Sequence, residues 1–257
     1  MRFITFIFIL AGLILGPVGP TLATAEKAPN LAPGSSAPLN ADFENLKKKA
    51  EAGDATAQFQ LSVVLLNLGL QTNVKNDQKS ELFLEAFQWV RRAADLGHPK
   101  AMDVMGDVYY VGAKEVGQSF GLGEKEIGPI FKIEGQAGDL AKNLAEARRW
   151  YQKAADHGEF YAMLKLASLY ATGQGGPKDP VAAQKYTKIA LDLATSQKDP
   201  NYLTRMATIY EKGENVPPDL ALSAKLWGQA AELGDASAKR RHDELQKESE
   251  GQAKSQK

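Results

Sequence analysis

The stretch AEARRWYQKAADHGEFYAMLKLASLY, running from Ala145 to Tyr170, decides the fold. Ala147, Trp150, Tyr151, Ala154 and Ala155 recur at steps of three and four, which puts them on one helical face. Gly158 stops that helix, because glycine takes the left-handed conformation of a helix end without a Cβ clash. A second helix follows, with Ala162, Leu166, Ala167 and Tyr170 on its buried side. Neither helix hides its apolar stripe alone, so the unit needs copies of itself.

The copies lie on both sides. Second helices repeat as Ala86, Trp89, Ala93, Ala94 and Gly97; as Ala183, Tyr186 and Ala190; and as Ser223, Leu226, Ala230, Ala231 and Gly234. First helices repeat as Ala57 and Leu61; as Ala101, Met105, Gly106, Tyr109 and Gly112; and as Tyr202, Met206, Ala207, Tyr210 and Gly213. Trp89 to Trp150 is 61 residues, Trp150 to Tyr186 is 36 and Tyr186 to Leu226 is 40, so the period carries insertions. Self-similarity at about 20–50 residues is the mark of a solenoid. The expected fold is all-α, about four helix–turn–helix repeats with a capping half-repeat.

These residues resemble the Sel-one-like repeat, a relative of the tetratricopeptide repeat. That pattern has Ala-x-x-x-Leu-Gly-x-x-Tyr on the first helix and Ala-x-x-Trp-Tyr-x-Lys-Ala-Ala-x-x-Gly on the second. A Gly-x-Gly-Val-x-x-Asp loop joins them, matched here by Gly213, Val216 and Asp219 and by Gly173, Gly176 and Asp179. The resemblance covers most of residues 42–238. It implies a right-handed superhelical α-solenoid without catalytic activity that scaffolds a protein partner in the cell envelope, such as an enzyme, a sensor or a signalling protein. In such superhelices the first helix of each repeat lines a concave groove. By repeat position, the partner-binding candidates are Asp103, Asp107 and Tyr110; Tyr161, Leu164 and Ser168; and Thr204, Thr208 and Glu211. Carboxylates, hydroxyls and tyrosines of this kind suit an extended peptide or a partner helix. The alternative is that they are ordinary solvated positions.

Composition narrows the function classes. The chain is 24% charged and 44% hydrophobic, which suits one soluble domain. Lys+Arg equals Asp+Glu, so no basic field favours nucleic acid. There is no cysteine, which excludes disulfides, thiolate nucleophiles, zinc–thiolate sites and lipid attachment through cysteine.

In chain order, residues 1–25 read as a secretory signal peptide. Arg2 gives the positive start, Phe3 to Leu15 the apolar core and Ala23-Thr24-Ala25 the cleavage site. An uncleaved membrane anchor is the alternative, opposed by a short core broken by Gly16, Pro17, Gly19 and Pro20. Secretion implies the periplasm if the source has two membranes. Residues 26–41, with Pro29, Pro33 and Pro38, read as a disordered spacer. The repeats span 42–250, opening on a capping helix over Asp42–Ala52 with Asp42 as N-cap, and 251–257 is a polar tail. The first repeat is placed at 54–68 and 80–96, and Pro99, Pro180 and Pro200 mark first turns of later helices. A last helix from Asp235, coated with charge, is expected to cap the array.

Ala113 to Asp139 is a 27-residue insertion between the helices of the second repeat. Structureless loops beyond about 12–15 residues are uncommon in compact domains unless functional or disordered. Its apolar residues argue for folding back onto the solenoid or for presentation to a partner, so Phe120, Ile130 and Phe131 join the partner-binding candidates.

No motif assembles a reaction centre. Gly117-Gln118-Ser119-Phe120-Gly121 matches the nucleophile elbow, with Asp139 and His157 following in serine–acid–base order, but the elbow needs a strand before the serine. No pair among His98, His157 and His242 has metal spacing, and no cofactor site is expected. His98 and His157 lie beside helix-ending glycines, where the helix dipole favours a partly protonated ring. Glu115, Glu124, Glu126, Glu134 and Asp139 lack the rigid support that paired catalytic carboxylates need. Trp89, Trp150, Tyr109, Tyr170, Tyr186 and Tyr210 form a row that reads as core. The rival functions are a hydrolase acting on cell-wall material or β-lactams and a membrane-tethered adaptor.

Overall fold

Short polar side chains start half of the described helices. Asp54, Asn143, Asp179 and Asp219 each accept a hydrogen bond at 2.9–3.0 Å from the backbone N–H three residues on. Each satisfies one of the donors a helix N-terminus leaves unpaired. Pro99, Pro180 and Pro200 sit in first turns, where their missing N–H loses nothing. A computed structural model describes residues 38–70, 76–131 and 143–255, all helices and turns with no strand among them. The expected signal peptide, nearly all of the spacer and the 132–139 part of the insertion lie outside the described residues.

The chain divides into two units between Glu159 and Phe160. In the first, α1 (Pro38–Glu51) packs on α2 (Ala55–Gly69), α2 on α3 (Asn76–Asp95) and α3 on α4 (Pro99–Val111). Two short helices follow, α5 (Ala113–Ser119) and α6 (Glu124–Phe131), and then α7 (Leu144–Asp156), which packs on α4. Helix α1 begins four residues before the expected boundary, so Asp42 lies inside it and is not its N-cap. Helix α3 likewise begins before Ser80. The core gathers Leu61, Phe87, Met105, Ile127, Phe131 and Tyr151, all essentially without exposure.

The insertion folds back onto the helices. Phe120 meets Phe83 and Phe87 edge-on, at 4.6 and 5.4 Å between ring centroids, and Phe131 meets Phe87 at 5.6 Å. The Tyr109 hydroxyl donates to the Phe131 carbonyl at 3.0 Å, and Arg91 donates to the Ile130 carbonyl at 3.2 Å. A Cβ on Gly117 would come within 2.5 Å of Ile127, so glycine there lets α5 and α6 close on each other. Phe120, Ile130 and Phe131, read from the sequence as either folding back onto the solenoid or facing a partner, take the first course. They are buried, because α3 presents an aromatic face that needs cover.

The second unit stacks α8 (Phe160–Thr172), α9 (Pro180–Gln197), α10 (Pro200–Lys212), α11 (Leu220–Glu232) and α12 (Ala236–Ser255), each packed on the next. Leu166, Leu203, Met206 and Leu226 make its core, and Phe160 stacks on Tyr202 at 4.0 Å. The Ser223 hydroxyl donates to the Ala207 carbonyl at 2.9 Å, which explains a polar residue where the other repeats carry Ala147 and Ala183. In the α12 cap, only Ala238 and Leu245 are buried among the described residues. Trp89, Trp150 and Tyr109 are core as expected, whereas Tyr170, Tyr186 and Tyr210 are only half-buried.

His98 departs from its expected role. It is the N-cap of α4, not a protonated C-terminal group: its Nδ1 accepts from the Ala101 N–H at 3.3 Å, and its ring stacks on Phe59 at 4.6 Å. Burial, reinforced by Lys100 and partly opposed by Asp54, lowers its pKa from 6.5 to about 4. A base held neutral in the fold contributes stability that is complete above pH 6.5 and is lost as pH falls from 6.5 towards 4. After allowance for solvent screening of this part-exposed ring, the loss should be about 1–2 kcal/mol. His98→Asn keeps a capping side chain but cannot titrate. Urea melts at pH 7 and pH 4.5 should therefore show a smaller acid loss in the variant; an equal loss would refute the assignment.

Candidate partner-binding cleft

The first helices of the second unit leave a cleft between them. Tyr161, Leu164, Lys165 and Ser168 of α8 line one wall, Arg205 and Ile209 of α10 the other, with Thr187 of α9 and the loop residues Glu214 and Asn215 completing it. Its volume is about 320 Å³, near the low end of the roughly 300–1,000 Å³ typical of ligand sites. Periodicity explains the lining. Leu166 and Met206 point into the core, so the residues one and two positions before or after each helix's core stripe turn towards the opening.

The cleft has an apolar floor and polar edges. Leu164 and Ile209 are nearly buried, and Thr187 donates back to the Ala183 carbonyl, so it adds no free donor. Arg205 Nη2 donates to Glu214 Oε2 at 2.9 Å, with both side chains partly exposed. The loop that carries Glu214 is held in shape. Gly213 sits at φ +72°, and a Cβ there would meet Pro218 at 2.9 Å. Asn215 is also left-handed at φ 62°, a conformation that asparagine tolerates better than most residues.

Of the expected partner-binding residues, the structure brings together Tyr161, Leu164 and Ser168. Thr204 and Thr208 do not line the cleft; their hydroxyls donate to carbonyls of their own helix at 3.0 Å. Glu211 is committed to the cap: it accepts from Arg241 at 2.8 and 3.2 Å and from the Trp227 indole at 3.1 Å. Arg241 chiefly, helped by Trp227 and opposed by burial, holds the Glu211 carboxyl below its ordinary range. In the first unit Asp103 and Asp107 are buried, not solvated, and Tyr110 is half-buried. Asp107 accepts a 2.6 Å hydrogen bond from the Tyr151 hydroxyl. That ties α4 to α7 and removes the carboxylate from the surface.

Lys165 and Arg205 line the cleft without being among the residues expected there. The signal was present: each directly precedes a core residue of its first helix, Leu166 and Met206, and the two lie 40 residues apart, one repeat. Ser119, the elbow candidate, ends α5 and donates to the Glu115 carbonyl at 2.8 Å. No group of three potential metal ligands occurs among the described residues, and no described helix is long and apolar enough to cross a membrane.

Similar structures are known. A Sel1 repeat protein from Oxalobacter formigenes shares 25% identity over 77% of this chain and 66% of its own, with a TM-score of 0.48. c5321, a protective antigen present in uropathogenic Escherichia coli strains and displaying an SLR fold, shares 21% over 78% of this chain and 50% of its own, with a TM-score of 0.33. The chain thus spans less than two thirds of the length of either. The Sel1 repeat pattern itself matches residues 55–98, 127–159, 160–194 and 200–235. Its second match starts inside α6 and leaves 99–126 unassigned, although α7 packs on α4. The insertion has placed an apolar helix where the pattern looks for the first helix of a pair. With more than half of its residues in four matched repeats, the chain belongs to the Sel1 repeat family.

Proposed function

We propose that this chain is a secreted scaffold of the cell envelope, periplasmic in a two-membrane cell, and that the cleft between α8 and α10 grips a segment of its protein partner. Sel1 repeat proteins are in general protein-interaction scaffolds, which supports the coarse reading. The cleft carries the finer one: an apolar floor flanked by hydroxyl, amide and guanidinium groups suits an extended peptide, which offers side chains and unpaired backbone groups together. Secretion rests on Arg2, the apolar run after it and Ala23-Thr24-Ala25.

A photo-crosslinking residue at Ser168, at the mouth of the cleft, is expected to trap one protein in an envelope fraction; the same residue at exposed Lys225 on α11 should not. Capture from both positions, or from neither, would sink the proposal for the cleft. Intact mass of the purified protein should correspond to a start at Glu26, and retention of Met1 would favour the tethered adaptor. The hydrolase reading requires that the protein open a β-lactam and lose that ability on Ser119→Ala.

A further inference from the structure

The cleft is lined by two cations and one carboxylate. Lys165 and Arg205 occupy the same place in consecutive repeats, and a single carboxylate, Glu214, faces them among the lining residues. Arg205 is not saturated. A guanidinium has five N–H donors, and among the described residues this one makes a single hydrogen bond, through Nη2. Its Nε and Nη1 donors are left for another acceptor. The Ser168 hydroxyl and the Asn215 side-chain amide also find no partner among the described residues. These donors converge on one apolar-floored opening, beside a loop fixed by its left-handed residues.

Resting on the reading of this cleft as the partner site, we propose that its occupant is an extended peptide segment bearing an acidic side chain, whose carboxylate docks on Arg205. Leucine-like side chains of the segment pack on Leu164 and Ile209, and its backbone meets Ser168 and Asn215. Glu214 stands in for the incoming carboxylate. It keeps the guanidinium aimed across the cleft and competes with the ligand for it. A segment with lysine in the same place meets the Arg205 guanidinium and is disfavoured, which gives the site specificity by repulsion as well as attraction.

The test uses three fluorescein-labelled octapeptides with blocked C-termini, alternating leucine with glutamate, glutamine or lysine. Anisotropy titrations use the full chain, Arg205→Gln, Glu214→Gln and Ser168→Trp, each checked for an unchanged melting profile. The glutamate peptide should bind about tenfold tighter than the glutamine peptide and the lysine peptide weakest. Arg205→Gln should abolish the advantage of glutamate, Glu214→Gln should tighten glutamate binding, and Ser168→Trp should block every peptide by filling the cleft. All of these charge effects should shrink in high salt. A lysine peptide that binds as well as the glutamate one, or a glutamate preference that survives Arg205→Gln, would overturn the proposal. If the glutamine peptide binds as tightly as the glutamate peptide, the acidic preference fails while the cleft remains the partner site. If no peptide binds at all, the partner-site reading fails with it.

Discussion

Phe87→Ala is expected to destabilise the first unit by about 3–5 kcal/mol, the range for truncating a fully buried phenylalanine. Phe87 has no exposure and is flanked by Phe120 and Phe131, so its removal leaves a cavity bounded by α3 on one side and the insertion on the other. Phe131→Ala should cost a similar amount, since that ring is also buried. Urea denaturation can follow the first unit alone, because Trp89 and Trp150 lie in it and the third tryptophan, Trp227, can be replaced by phenylalanine. A loss below about 1 kcal/mol for both variants would mean that the insertion merely leans on α3. The same packing bears on loop replacement. Exchanging residues 114–138 for a short glycine–serine link would strip Phe120, Ile127, Ile130 and Phe131 from the core, so binding lost in such a variant reports unfolding as readily as recognition.

The second large effect is expected at Tyr151. Tyr151→Ala should cost about 3–5 kcal/mol through lost packing, and Tyr151→Phe about 1–3 kcal/mol through the hydrogen bond that Asp107 loses in a buried setting. Gly106 makes the contact possible: a Cβ there would sit 2.4 Å from the Tyr151 ring. Gly106→Ala should therefore destabilise, by about 1–3 kcal/mol, even though alanine is the better helix former. Burial first, then the Asp107 carboxylate, pushes the Tyr151 phenol well above its ordinary range. An acid whose folded pKa is raised contributes stability that is complete below the unfolded value of about 10 and is lost as pH rises beyond it. Alkaline ultraviolet titration should show this phenol ionising only when the first unit opens. Tyr151→Phe should flatten the alkaline fall in stability, and a normal titration with the unit still folded would refute the assignment.

Much of this was legible in the sequence because helical periodicity is a local property. The steps of three and four through Ala147, Trp150 and Ala154 fix which face of α7 is apolar whatever packs there. Asp179-Pro180 and Asp199-Pro200 mark helix starts by chemistry internal to the first turn, and both were found where expected. The Sel1 pattern follows from the same local signals repeated four times.

What tertiary structure alone decided was which polar residue faces water. Asp107 and Ser168 hold the same position in consecutive repeats, yet Asp107 is buried against Tyr151 and Ser168 is exposed. Glu211 is claimed by Arg241, which is 30 residues away. The insertion became core because the aromatic face of α3, distant in sequence, lay open to it. Lys165 and Arg205 share a cleft only because stacking sets equal positions of neighbouring repeats side by side. Periodicity decides which side of a helix is apolar; which neighbour reaches it across 30 or more residues of chain is settled by packing, and the binding surface is what packing leaves uncovered.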